Sequence, residues 1–325
     1  MFKKEPTYRD ALSHSWQLVR AHKLLWVYGL FAAFLGQAGL LELATKIGFA
    51  STDYALYPTW LALPALFRTG GILSLGFTVE GWSWFGFVLA ILLGFGLLLV
   101  AAAVISQGAL ISSVARSVQR RTFPHVGKAW HTGAEHFWRL FFINVCKKVS
   151  LVLLAVMTGW ATLNVAVENL TSVGDVVIFF FVFVLAVTVG MVVSFIAVYA
   201  AGYVVVEEMP LFVAIESAWR LFLSHWLVSI EVGLVMLLLN VAVGIVSLIG
   251  LFVLFLPTMV LWFIAVLTGS YALINIAFML GVGLFTIFVV LLGGVFTAYT
   301  TTTWTYLFMK MHKHGMMSRI MRLLS

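Results

Sequence analysis

Charged residues are scarce in this chain of 325 residues. Only 10% are Asp, Glu, Lys or Arg, whereas 63% are hydrophobic; soluble domains carry about 25% charged residues. The mean hydropathy is correspondingly high, at +1.10. No soluble core could bury this much apolar surface, so lipid must be the solvent for much of it. We therefore predict an integral membrane protein.

Cysteine is almost absent, and so are the usual signs of a catalytic or metal site. Cys146 is the single cysteine, which excludes an intrachain disulfide and leaves no zinc or iron–sulfur spacing. The histidines fall outside the middle of the apolar runs, so haem ligation is not expected. The pair Glu207–Glu208 is similar to the glutamates of intramembrane CAAX-type proteases, but Arg220 is too distant for that pattern. We expect a non-enzyme with no catalytic residue, no metal and no cofactor.

Apolar runs long enough to cross a bilayer as helices, about twenty residues each, occur six times along the chain. They cover residues 24–44, 84–116, a run ending near residue 168, 175–206, 226–250 and 279–310. The first run is expected to be an uncleaved signal anchor, because no small-residue cleavage site follows the polar residues before it.

The apolar stretch from residue 251 to 309 has two interpretations. In the first, residues 251–274 form an interfacial or re-entrant helix broken at Pro257, and one span follows, which gives six spans in total. In the second, turns at residues 268–270 and 293–294 give three spans, which makes eight. We favour six, because the runs at 84–116 and 175–206 are about as long as the last run.

The basic residues predict the orientation of the chain. With the N-terminus inside, Lys46 and Arg68 would be the only two of the 19 Lys and Arg residues on the outer side. Cytoplasmic flanks of membrane helices collect Lys and Arg. We therefore predict that both termini lie in the cytoplasm and that the chain resides in the cell (inner) membrane. The net charge of +7 then reflects contact with anionic headgroups, and no nucleic-acid partner is expected.

Three Trp–His pairs share one spacing, with five residues between the partners. The pairs are Trp16–His22, Trp130–His136 and Trp219–His225. Chance predicts roughly 0.3 such pairs in a chain of this composition, and each pair precedes an odd-numbered span. The pattern indicates an internal repeat, with modules at about 1–116, 117–206 and 207–325 within one membrane domain.

The segments that carry these pairs have helical periodicity. Tyr8, Leu12, Trp16 and Val19 form an apolar stripe at i, i+4, i+8 and i+11, and residues 211, 215, 219 and 222 repeat it. We predict amphipathic helices on the cytoplasmic face, with their Trp side chains at the headgroup boundary and each His at an elbow. The predicted fold is all-α and polytopic, with about six transmembrane helices in three hairpin repeats, each preceded by one such interfacial helix.

The lead sequence Ala11-Leu12 to Ser15-Trp16-x-Leu-x-x-x-His22, repeated along a polytopic chain, resembles a known type of membrane domain. It is similar to the domain found beside glycerophosphodiester phosphodiesterases and to YciC-like bacterial membrane proteins of unknown function. The resemblance implies a membrane architecture over most of the chain. It transfers no catalytic residue, because the phosphodiesterase barrel with its His-Arg-Gly start is missing here.

Three charged residues are candidates for a polar or headgroup-binding site: Lys147, Lys148 and Glu231. If the third span begins at Phe137, both lysines lie inside the bilayer, where ionisable groups usually mark function or pairing. If the cytoplasmic helix instead continues to Cys146, they extend to the interface. Glu231 could form an ion pair with either lysine.

These patterns support three functions. The leading hypothesis is a non-enzymatic membrane protein that engages lipids, a membrane-protein partner or a second copy through its cytoplasmic helices. The second is a transporter or lipid translocator with a cavity near Lys147, Lys148, Glu231 and the threonines at 297–305; the third is an intramembrane enzyme. A water-accessible cavity that reaches Glu231 would favour transport, and a sealed bundle would favour the first hypothesis.

Overall fold

The structure, a computed structural model, describes residues 8–36, 79–120, 126–167 and 173–314, and over these ranges it contains only helices, turns and short connections. The nine helices are α1 (Tyr8–Ala21), α2 (Leu24–Gly36), α3 (Val79–Arg120), α4 (Val126–Glu135), α5 (Phe137–Val167), α6 (Val173–Val206), α7 (Leu211–Ser224), α8 (Trp226–Thr268) and α9 (Tyr271–His314). The predicted all-α class is confirmed.

Within the part of the chain that the structure describes, five helices carry apolar segments long enough to cross a membrane. The segments are Leu89–Gln119, Phe137–Gly159, Val177–Val206, Trp226–Thr268 and Tyr271–His312. A shorter apolar helix covers Leu24–Ala33, and the rest of the predicted first span lies outside the described residues. The chain is therefore a multi-pass membrane protein.

The segment 251–274 is not a separate interfacial or re-entrant helix, so that prediction is wrong. α8 passes through Pro257 without a break and ends at Thr268. Proline removes one helical hydrogen bond, but a break inside an apolar run would leave several backbone groups unpaired in lipid, which costs several kcal/mol each. The helix ends instead at Gly269, whose φ of 65° is left-handed, and the Ser270 N–H donates to the carbonyl of Ala265.

The second predicted turn, at residues 293–294, is also wrong. The turn at 268–270 is present, but α9 continues through both glycines. Gly294 lies where α2 crosses α9, and a Cβ on Gly29 would stand 2.2 Å from the Gly294 carbonyl oxygen. Glycine here lets two helix backbones approach each other closely, as is common in membrane proteins. The eight-span interpretation therefore lacks the second turn that it needs.

The apolar helices pack as neighbouring pairs around a common centre. α2 packs against α3, α5 against α6, and α8 against α9, while α3, α6 and α9 contact one another. The three short helices lie on these: α1 on α9, α4 on α3, and α7 on α6. The largest buried cluster includes Val104, Leu140, Tyr199, Val232 and Phe308. It lies near the bundle end where α5 and α8 begin and α3, α6 and α9 end, which we call the base.

Candidate functional site

A partly open cavity of about 250 Å³ lies between α2, α3, α5, α6, α8 and α9. Its polar walls come from four of these helices. The polar lining residues are Gln107, Asn144, Lys147, Asn240, Thr297, Thr300, Thr301 and Thr305. Apolar residues, among them Met236, Trp304 and Phe308, complete the lining. A concave site with a few convergent polar groups between bundled helices is the usual form of a small-molecule site.

The cavity lies in the half of the bundle nearest the base. At 1.5 Å per helical residue, Lys147 stands about 15 Å along α5 from its start at Phe137. Thr305 stands about 14 Å before the end of α9 at His314. Since α5 and α9 run in opposite directions, both measurements place the cavity at a similar depth, within apolar helices and away from their ends.

An amide pair joins two walls of the cavity. Asn144 Nδ2 on α5 donates to Gln107 Oε1 on α3 at 2.7 Å, and also to the Leu140 carbonyl at 2.8 Å. A primary amide has two N–H donors, so both donors of Asn144 are engaged. Of the two amides, only the Gln107 NH₂ group can therefore donate further hydrogen bonds, and it does so from the α3 side of the cavity.

Two of the four threonines that form the threonine wall of the cavity on α9 present acceptors to it. Thr300 Oγ1 donates to the Thr297 carbonyl at 3.1 Å, and Thr305 Oγ1 donates to the Thr301 carbonyl at 2.8 Å. This back-bonding satisfies carbonyls of the same helix. Since each hydroxyl has a single hydrogen, its oxygen can then only accept further hydrogen bonds.

Lys147 lines the cavity, whereas Lys148 and Glu231 do not. α4 ends at Glu135 and α5 begins at Phe137, so the cytoplasmic helix does not continue unbroken to Cys146, and the depth of the two lysines in the membrane stays a prediction. The break follows from the turn at His136, whose Nδ1 pairs with the Thr132 carbonyl at 2.9 Å. Both lysines therefore belong to the apolar segment Phe137–Gly159.

Glu231 is half-buried on α8, outside the lining. It precedes the lining residue Met236 by five positions, a rotation of about 140° around a helix with 3.6 residues per turn. The cavity therefore does not reach Glu231, so the observation that would have favoured transport at that residue is not made. The predicted ion pair between Glu231 and Lys147 or Lys148 stays a prediction.

The residues of the Trp–His pairs lie at the base. His22, His136 and His225 stand at the turns from α1 to α2, from α4 to α5 and from α7 to α8. Trp16, Trp130 and Trp219 are exposed. Their stripes, in contrast, pack largely on protein: Val19 and Phe222 are buried.

An aromatic cluster adjoins the cavity at the ends of α6 and α9. The Phe308 ring, which lines the cavity, stacks on His312 with centroids 5.9 Å apart. His312 Nδ1 lies 3.4 Å from the Tyr203 hydroxyl, and its Nε2 lies 3.7 Å from Glu207 Oε1. These contacts tie the end of α6 to the end of α9. Within the described ranges, no group of three or more His, Cys, Asp or Glu residues could hold a metal ion.

The sequence did not single out Gln107, Asn144 or Asn240. Each is an isolated amide in an apolar run, with no spacing that connects it to the others. The available signal was their rarity, because an amide within an apolar membrane segment needs a hydrogen-bond partner and often marks a helix contact. Only the packing of α3, α5 and α8 shows that the three side chains line one cavity.

Comparison of the chain with protein-family models, with curated proteins and with solved structures found no match in any of the three. The resemblance to the membrane domain of glycerophosphodiester phosphodiesterase-type proteins therefore stays a prediction.

Proposed function

We propose that this protein is a membrane transporter or lipid translocator that binds a polar or amphiphilic solute in the cavity between its helices. One observation carries the proposal: amide, hydroxyl and ammonium groups from four apolar helices converge on one space of about 250 Å³. Polar groups at such positions are costly in a membrane, and they usually face an interior path for a substrate. A scaffold would need no such space.

We further infer that the chain crosses the membrane six times, as three modules that each contain a short helix and two long ones. The packing of the short helices supports this inference. α4 and α7 each lie on the long helix that precedes them, and α1, the first described helix, lies on α9, the last. The same relation therefore recurs around the bundle as a closed ring, as expected if the three modules are copies of one unit.

Thiol labelling tests whether water and solutes reach the cavity. In a Cys146→Ser background, Asn240→Cys places a single cysteine in the cavity lining, and Leu238→Cys places one on the outer apolar surface of the same helix. The reagents are two methanethiosulfonates that do not cross bilayers, one a sulfonate and one a trimethylammonium. We expect labelling of Asn240→Cys in proteoliposomes and none of Leu238→Cys, because a thiol in lipid does not ionise.

The side from which the reagent enters separates the outcomes. Labelling of Asn240→Cys both from outside and by reagent trapped inside supports translocation. Labelling from one side only would overturn translocation and leave a one-sided binding pocket. No labelling by either reagent would overturn the cavity proposal itself.

A second candidate is the leading hypothesis from the sequence, in which the short helices engage lipid. Exposed basic residues on the three short helices favour it, namely Arg20, Lys128 and Arg220, the last of which also pairs with Glu216. Juxtamembrane basic residues attract anionic headgroups by about 1 kcal/mol each. Replacement of all three by Gln should lower the amount of phosphatidylglycerol that co-purifies, measured by native mass spectrometry, whereas Lys148→Gln should not. Equal retention in both variants would contradict it.

A further inference from the structure

The cavity has one charged wall. Among the described residues that line it, Lys147 is the single ionisable side chain, and no carboxylate faces it there. An ammonium group in an apolar region is costly unless a counter-charge or hydrogen-bond acceptors stabilise it. An anion that enters the cavity supplies that counter-charge, whereas a cation would add to the repulsion.

The α9 wall of the cavity has a different hydrogen-bonding character from the α3–α5 wall. The α3–α5 side offers donors from Lys147 and from the Gln107 amide, whose oxygen is already engaged by Asn144. The α9 side offers the oxygens of Thr300 and Thr305, whose hydrogens are used within the helix. A ligand that complements both walls carries negative charge at one end and N–H or O–H donors at the other.

We propose that the cavity binds a monoanionic group that carries its own hydroxyl or ammonium donors, with Lys147 at the anion and the threonine wall at the donors. This inference rests on the proposed function, because it names the solute class of the same cavity. The volume of about 250 Å³ equals that of about eight water molecules. Such a space holds a headgroup such as phosphoglycerol or phosphoethanolamine, but not a whole lipid.

The repeat supplies a matched substitution. Lys147 and Met236 both stand eleven residues after the His of their Trp–His pair, and both line the cavity. Lys147→Met therefore installs the residue that the third module already has at that position. Lys148→Met removes the same charge from the next residue of α5, whose side chain is exposed and outside the lining.

The charge preference is measured by the rates at which the two methanethiosulfonates label Asn240→Cys, each normalised to its rate with free cysteine. We expect the sulfonate to be favoured over the trimethylammonium on the order of tenfold. Lys147→Met should remove this preference, and Lys148→Met should retain it. Equal normalised rates in the Lys147 protein would overturn the anion inference while the cavity proposal stands. Labelling by neither reagent would instead overturn the cavity proposal.

Protection from labelling tests whether the ligand is a membrane lipid or a soluble solute, and whether the ligand needs hydrogen-bond donors at the end that faces the threonine wall. We expect phosphatidylglycerol or its free headgroup, glycerophosphoglycerol, to slow labelling of Asn240→Cys at least threefold. Protection by the lipid alone assigns the site to a membrane lipid, and protection by the free compound assigns it to a soluble solute. Phosphatidylmethanol has the same charge but no donor, so equal protection by this lipid would overturn the role of the threonine wall. Absence of protection by all three would overturn the ligand class.

Discussion

The two ends of the α8–α9 hairpin differ in burial, and the more buried end is the less apolar one. At the base, Val232 and Phe308 are buried against α6 and its neighbours. At the tip, Phe252 is 75% exposed and Tyr271 is 83% exposed. The contacts described there join α8 to α9, as in the ring pair Phe255–Phe285. Among the described residues, burial along this hairpin therefore follows the number of neighbouring helices rather than hydropathy.

Polar groups also divide between the two ends. At the base, side chains bond between helices: Asn144 with Gln107, and Tyr199 with Ser229 at 2.7 Å. At the tip, Thr268 bonds only to carbonyls of its own helix in the described contacts. Interhelical bonds fix how helices stand relative to one another. The base is therefore the part of the described bundle in which side-chain hydrogen bonds join different helices, and the predictions below compare it with the tip.

The largest contrast is expected for phenylalanine truncation within α9. Phe308→Ala removes a ring that is 1% exposed and packs against Gly202 and Tyr203. Truncation of a buried Phe lowers the free energy of unfolding by about 3–5 kcal/mol. Phe278→Ala, on the exposed tip of the same helix, should cost under about 0.5 kcal/mol. Unfolding by SDS titration measures both, and similar losses would contradict the division between base and tip.

A smaller contrast is expected for glycine. A Cβ on Gly133 of α4 would stand 2.2 Å from the Ile105 carbonyl oxygen of α3, and backbone cannot move aside as a side chain can. Gly133→Ala should therefore cost about 1–3 kcal/mol through overpacking. Gly283→Ala on the tip, where no atom lies within 4 Å, should be neutral or stabilise the helix by up to about 1 kcal/mol. A stabilising Gly133→Ala would show that α4 does not lie on α3.

The smallest contrast concerns one hydroxyl. Tyr199 is buried and its OH pairs with Ser229 Oγ, which also donates to the His225 carbonyl. Tyr199→Phe should lower the free energy of unfolding by about 1 kcal/mol, the usual net value of such a bond. Tyr271→Phe at the exposed tip serves as the control and should change nothing. If the double variant Tyr199→Phe/Ser229→Ala loses as much free energy of unfolding as the two single variants together, the two hydroxyls are not coupled.

Much of the fold followed from the sequence, because apolar length and the spacing of Trp and His are local signals. The predicted run at 175–206 matches α6, and α8 begins where its run began. The errors arose at proline and glycine, where sequence rules that hold in water were applied to a helix in lipid. Pro257 and the pair Gly293–Gly294 are breakers or turn residues in water, but in an apolar run the cost of unpaired backbone keeps the helix continuous.

The site was less accessible to prediction. Lys147 and the threonines on α9 were singled out because charge and hydroxyl runs are unusual in apolar segments. Glu231 was expected with them for the same reason, yet a rotation of about 140° along α8 places it off the cavity face. Which polar residues share a cavity depends on the rotation of each helix about its axis, and a sequence of nearly uniform hydropathy contains little information about it.

The length of the last hairpin has a consequence for the membrane around it. α8 and α9 contain 43 and 44 residues, which span about 65 Å at 1.5 Å per residue, roughly twice the 30 Å hydrocarbon layer of a bilayer. No charged residue occurs between Glu231 and Lys310 to fix the depth of the hairpin. A tilt of about 40° still leaves about 50 Å along the bilayer normal, so the bilayer must thicken locally or the helix ends must project past it. α9 also forms the threonine wall of the cavity. We therefore expect bilayer thickness to change the position of that wall, so that the lipid composition alters the shape of the site.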